Sequence, residues 1–203
     1  MSDGHRVDVR VHSEDEARSL LDAGGRLLRL GHDMVAMTAD ALQPPRFPES
    51  LRVVRCAECT IGDLVQAAAL ATPPEHVDAA IWLSIDREAH WRSILGSVHE
   101  RLVDDASRVL LDEHGGVVAA AVVSHKLPLQ WWPGGAWLQE IFVVPRFQGR
   151  GVGAALLHQA LWGSRVNGAD RMGLTVTEGN PAERLYQRLG FARFRSTWQI
   201  TEP

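Results

Sequence analysis

The stretch AWLQEIFVVPRFQGRGVGAALL, residues 136–157, decides how the chain is read. An apolar run rich in β-branched residues is closed by Pro145, then comes a basic, glycine-rich turn, then apolar residues at helical spacing. A strand delivers the chain to a loop of bare backbone N–H groups, and a helix starts where they point. The first N–H groups of a helix have no partner inside it, and its dipole favours negative charge there, so the turn reads as a phosphate cradle. Gly149, Gly151 and Gly153 let the backbone approach an anion with no Cβ in the way.

The rest of the chain is able to support such a site. At 203 residues, 45% apolar and 23% charged, it suffices for one ordinary domain, or one domain with an appendage. The net charge of -4 argues against a nucleic-acid binder that works through a general basic surface. No apolar run reaches bilayer length, so no membrane partner is expected. The start, MSDGHRVDVR, lacks the order of a signal peptide, and a cytoplasmic location is expected. Cys56 and Cys59 form a C-x-x-C pair with no second ligand pair at zinc-finger spacing. They read as two small residues at a strand end, and no metal is expected.

Outward from the central stretch, the pattern predicts a strand over 171–177, a helix over 181–189 and a terminal strand ARFRSTWQI. Upstream, RVLLDE and VVAAAVVS flank the turn HGG as a β-hairpin. A helix is predicted over 87–103, with Trp91, Ile94, Leu95, Val98 and Leu102 on its apolar face. Before it come a strand LRVVRC, a cap at Thr60 and a helix over 64–71. QPPRFPES, 43–50, is the main linker. The first 42 residues read as a β-α-β appendage: a strand over 6–11, a helix over 14–29 capped by Ser13, and a strand over 32–38. Shifted by 165 positions, this piece falls without gaps on RMGLTVTEGNPAERLYQRLG, with Arg6 on Arg171, Ala17 on Ala182, Leu20 on Leu185 and Gly25 on Gly190. It reads as a degenerate half-repeat that keeps the packing and loses the chemistry. Antiparallel hairpin strands followed by a helical crossover to a parallel neighbour imply a mixed sheet with helices on both faces.

QGRGVG at 148–153 matches the Q/R-x-x-G-x-G/A signature of the GNAT superfamily of N-acetyltransferases, and the chain resembles that family. EIFVVP before it is similar to the family's cofactor-contacting strand, and NPAERLYQRLGF, 180–191, to its late N…A…LY…LGF motif. The resemblance covers about 49–203, so residues 51–203 are expected to form the acetyltransferase domain. It implies an α/β (α+β) fold: a mixed, mostly antiparallel sheet flanked by helices, with a splayed parallel pair at the cofactor site. It implies acetyl-CoA, or another short acyl-CoA, as co-substrate, and transfer of the acetyl group to a primary amine on a small molecule or peptide. A homodimer is left open.

Carried over residue by residue, the resemblance places the pyrophosphate on Gly149, Arg150, Gly151, Val152, Gly153 and Ala154, and the pantetheine arm along Ile141, Phe142 and Val143. Arg150 would add a charge-assisted contact. Tyr186, the only tyrosine, would protonate the leaving thiolate; the competing reading is a core aromatic. Glu140 is the candidate general base, or else a polar residue that orients substrate at the cleft rim. The N–H of Val143 is a candidate oxyanion donor. Asn180 stands six residues before the tyrosine where the family most often has seven, so it is either a cofactor contact or a helix cap with Pro181 at the first position. On the acceptor side, Glu75, His76 and Asp78 would recognise a cationic amine, with His76 an alternative base; a solvated loop is the competing reading. Trp131 and Trp132 are either an aromatic wall beside the cleft or core or dimer contacts.

Two rival functions remain on these residues. One is an acyl-CoA-binding or interaction module without turnover. The other is dinucleotide binding, since Gly149, Gly151 and Ala154 satisfy G-x-G-x-x-A and Glu178 follows the next strand as a ribose-binding acid would. Against the latter, PRFQ separates the strand from the first glycine, and one strand after Glu178 is too few for a doubly wound sheet.

Overall fold

A computed structural model describes residues 8–96 and 101–201. In chain order the elements are β1 (Asp8–Val11), α1 (Glu14–Asp22), β2 (Arg26–Met37), β3 (Arg52–Val54), α2 (Ile61–Ala71), α3 (Ala79–Ser84), α4 (Arg87–Gly96), β4 (Arg108–Leu111), β5 (Val117–Lys126), β6 (Gly135–Val143), α5 (Val152–Val166), β7 (Arg171–Thr177), α6 (Glu183–Arg188) and β8 (Ala192–Thr201). Backbone contacts divide the chain into two compact units, Met1–Val35 with Thr175–Pro203, and Ala36–Leu174.

In the first unit β8 pairs antiparallel with both β1 and β2. Ser13 caps α1 as expected, accepting from Glu16 N–H, and Glu14, Asp15 and Glu16 in the first turn complement the helix dipole. The expected helix over 14–29 ends at Asp22, however. Gly24 takes φ 103°, and a Cβ on Gly25 would stand 2.7 Å from the carbonyl oxygens of both Leu20 and Thr201, so this turn accepts only glycine. Arg26–Arg29, expected as helix, instead open β2, because the antiparallel ladder that runs from Arg26 to Val35 against β8 outweighs local helical spacing. Val11, Ala17 and Ile200 form the small core beneath α1. The 165-residue offset carries Asp8–Val11 into β7, Glu14–Asp22 across the start of α6, and Arg26–Met37 onto β8. Of the expected strand over 6–11, Arg6 and Val7 lie outside the described residues.

In the second unit the sheet order is β7-β6-β5-β4-β3. Every pair from β6 to β3 is antiparallel, and β6–β7 is parallel. This is the mixed, mostly antiparallel sheet expected, and a doubly wound dinucleotide fold is ruled out by its strand directions. Thr60 caps α2, accepting from Asp63 N–H. Of the expected helix over 87–103, Arg87–Gly96 form α4; 97–100, with Val98, lie outside the described residues. Leu102 is not on a helix face, since it bridges Ser124 and the next residue, Val103, donates its N–H to Val123 O at 2.8 Å. Between α2 and α4, Ala79–Ser84 form α3, a short helix that the sequence pattern does not predict. The linker stretch 43–50 carries neither helix nor strand.

Helices cover both faces of this sheet. α2 packs on β5, β6 and α4, and α5 packs on β5 and β6. Met172 of β7 lies 3.6 Å from Ser164 of α5, while its neighbour Gly173 lies under the Trp137 ring, so Trp137 stands on the face away from α5.

Candidate active site

The β6 ladder sets which side chains reach that face. Val122 opposes Glu140, but Val123 opposes Leu138, so Gln139 is the extra residue of a β-bulge. Without it, Trp137 and Glu140 would point to opposite faces. Their partners Ser124 and Val122 are two apart on β5, and cross-strand partners share a face, so the bulge turns Trp137 and Glu140 to the same side. Gln139 Nε2 donates to the buried Ser124 Oγ at 2.7 Å and pins the bulge.

Val144 N–H donates to Val118 O at 2.8 Å. Alternation along an antiparallel ladder then turns the backbone groups of Phe142 toward β5 and those of Ile141 and Val143 away from it. Gln148 Nε2 reaches back to Val143 O at 2.8 Å, tying the strand end to the turn. The ladder to β7 consists of Ala136↔Met172 and Trp137↔Gly173, so Ile141 and Val143 lie beyond it. Phe142 itself is buried, edge-on to Trp91 of α4.

The glycine turn follows a single 3₁₀ turn, Pro145–Phe147. Gly149 and Gly151 take φ 71° and 79°, the left-handed region, with open space where a Cβ would stand. Gly151 caps α5 without a side-chain bond, and Ala155 N–H donates to Gly151 O at 2.9 Å, closing the first turn of the helix. The N–H groups of Val152, Gly153 and Ala154 therefore precede the helical ladder. Arg150 is exposed, its guanidinium 5.7 Å from the Phe147 ring; Arg146 lies on the same ring and pairs with Asp112. Backbone N–H bonds from Gly116 lead the causes that hold Asp112 below the usual carboxylate range.

Glu140, 16% exposed, meets a partner that sequence reasoning missed. His90 of α4 places Nε2 2.7 Å from Glu140 Oε1, and its ring stands edge-on to Trp82 of α3 at 5.3 Å. A helix position beside the apolar face carried no signal for it; the pairing spans fifty residues. Glu75 is exposed, and His76 and Asp78 are half-buried. His76 Nδ1 accepts from Asp78 N–H at 3.1 Å, so that nitrogen is occupied within its own loop. Trp132 is buried and edge-on to Trp137; Trp131 is half-buried, also edge-on to it. Lys126, the only lysine, sits 3.8 Å from the Trp137 ring centre.

In the first unit, Tyr186 is buried on α6, tilted 58° to Phe191. Asn180 Oδ1 accepts from Ala182 N–H at 2.9 Å, a local capping bond, and α6 begins at Glu183 rather than at the expected 181. Glu178 meets the buried His32, whose Nδ1 lies 2.9 Å from Ser196 Oγ, and it also pairs with Arg193. Arg193 forks onto Glu183 as well, and that bond leads the causes holding the Glu183 carboxyl below the ordinary glutamate range.

Among the described residues no three His, Cys, Asp or Glu side chains group as metal ligands, and no helix is long and apolar enough to cross a membrane. Cys56 and Cys59 are free, and burial leads the causes that push the Cys56 thiol up to about 12, so it stays protonated at neutral pH.

Residues 67–191 match the model of the Acetyltransferase (GNAT) family. Among solved structures, a GCN5-related N-acetyltransferase from Sphaerobacter thermophilus superposes with a TM-score of 0.67 at 20% identity, covering 98% of this chain and 61% of that one. The chain thus spans less than two thirds of that protein's length. A GCN5-related N-acetyltransferase from Kribbella flavida gives 0.58 at 16% identity, covering 98% and 68%. A GCN5-related glucosamine N-acetyltransferase region of a fungal multi-domain GH3 β-N-acetylglucosaminidase gives 0.61 at 18%, covering 94% of this chain and 24% of that one. At these identities the likeness is one of fold. No curated protein matches the chain.

Proposed function

Because the chain belongs to the GNAT acetyltransferase family, we propose that it moves an acetyl group from acetyl-CoA to a primary amine within a ternary complex. The observation that supports this most is the turn itself: left-handed Gly149 and Gly151, open around their Cα atoms, lead into a helix whose N-cap, Gly151, has no side chain to satisfy its first N–H groups. That is the chemistry a pyrophosphate needs. Arg150 adds a positive charge beside it, and Asn180 is the remaining cofactor contact proposed.

The outward-facing N–H and C=O groups of Ile141 and Val143 suit an amide-bearing arm that pairs like an added strand, while Phe142 contributes its packed ring. Acetyl-CoA supplies the activated acyl group. Glu140 accepts the proton of the incoming ammonium, the Val143 N–H donates to the developing oxyanion, and the Tyr186 phenol gives its proton to the departing thiolate. A phenol near pKa ~10 donates to a thiolate whose parent thiol lies near ~8.5 because positioning offsets the mismatch. Glu75, His76 and Asp78 are proposed to favour a cationic acceptor, with the half-buried Trp131 as its aromatic wall, while the buried Trp132 packs on Trp137.

The test is acceptor-dependent thiol release from acetyl-CoA across a panel of amines. Tyr186→Phe and Glu140→Gln should each lower turnover by about 10²–10⁴-fold, the range general acids and bases supply. Binding of CoA with no acceptor-dependent release anywhere in the panel would reduce the protein to a binding module.

A further inference from the structure

We propose that His90 is a positioning residue for Glu140, held in turn by the corner between α3 and α4. This rests on the acyl-transfer reading and on Glu140 as its base.

A base on a strand does not aim itself. Glutamate has three rotatable side-chain bonds, and a carboxylate displaced by an ångström loses much of its catalytic use. Here one carboxylate oxygen is fixed. An ionised carboxylate only accepts, so the ring proton of His90 lies on Nε2 and points at Glu140 Oε1, 2.7 Å away. Both groups are more covered than open, at 16% and 29% side-chain exposure, so the bond is less screened than a surface pair.

The histidine is itself braced. Trp82 stands edge-on to its ring, 87° between planes at 5.3 Å. Arg87 lies 5.6 Å from the Trp82 ring centre and donates from Nε to Trp82 O at 3.3 Å, so one arginine holds both the ring and the backbone at the end of α3. Asp86 Oδ1 accepts from Ala89 N–H at 3.0 Å, which starts α4 where His90 can reach β6. One residue on, Trp91 is fully buried against Phe142, two residues beyond Glu140 on the same strand face. The helix is thus anchored to β6 beside the contact that matters.

The experiment measures amine-dependent thiol release from acetyl-CoA with spermidine, phenethylamine and glucosamine. It compares wild type, His90→Ala, His90→Gln, Glu140→Gln and the double variant His90→Ala/Glu140→Gln. His90→Ala should lower kcat/KM for the amine about 10- to 100-fold and leave the KM of acetyl-CoA unchanged. His90→Gln, whose amide N–H reaches where Nε2 does, should recover most of that loss. With Glu140 already replaced by Gln, removing His90 should cost nothing further, because the two act as one unit. Equal losses from His90→Ala in both backgrounds, or a His90→Gln variant no better than His90→Ala, overturn the proposal while leaving acyl transfer intact. A wild type that binds acetyl-CoA yet releases no thiol with any of the three amines overturns both.

Discussion

The Trp137 ring lies directly on Gly173, its parallel partner in β7: a Cβ at position 173 would stand 2.4 Å from the ring. Trp132 closes in as well, at 3.0 Å, so neither indole can yield without disturbing the other. Gly173→Ala is expected to destabilise the fold by about 1–3 kcal/mol or more, the cost of overpacking a close-fitted site. Urea unfolding reads it directly; an unchanged midpoint would mean the aromatic cluster is loosely held.

The bulge at Gln139 is the device that turns Glu140 to the face of Trp137. Gln139→Leu removes the bond to Ser124 Oγ, which is buried. It should cost about 1–3 kcal/mol for the stranded hydroxyl. It should also lower turnover with amines more than it weakens CoA binding, since the base is displaced and the phosphate turn is not.

The glycine turn makes the opposite prediction. Alanine at Gly149 or Gly151 meets no neighbour but must adopt a left-handed backbone, at a cost of about 1–2 kcal/mol. Melting should fall by no more than about 8 °C. CoA affinity, measured by calorimetry, should fall at least tenfold, because the added methyl stands where the phosphates are proposed to lie.

Glu183 gives a pH signature. Its pKa is depressed by the bond from Arg193, so that interaction stabilises the fold above the unfolded glutamate pKa and is lost as pH falls through the folded value. Arg193→Gln should therefore differ most from wild type near neutral pH. The two unfolding curves should converge in acid, below the ordinary glutamate range.

What the sequence made legible was local. The strand–turn–helix from β6 to α5 announces itself through β-branched residues, a stopping proline and glycines, and β7 occupies the expected 171–177. The hairpin of β4 and β5 was equally plain from its polar turn. What local pattern did not carry was anything decided by a distant partner. The residues after Asp22 have helical spacing, yet β8 draws Arg26–Arg29 into a strand. Leu102 fits a helical stripe, yet it bridges Ser124. The bulge depends on how β5 and β6 are registered, which neither strand encodes alone. Glu140 was identifiable as a carboxylate on the right strand, but the histidine that holds it lies fifty residues upstream on another element.

The central claim is that β6, the glycine turn and the start of α5 form one acyl-CoA site, with the strand serving as much as the turn. A crystal structure with acetyl-CoA bound tests it most directly. The account predicts the pyrophosphate on the N–H groups of Gly149–Ala154 and the pantetheine arm hydrogen-bonded to Ile141 and Val143. A ligand whose phosphates sit elsewhere, or whose arm does not touch β6, would contradict it.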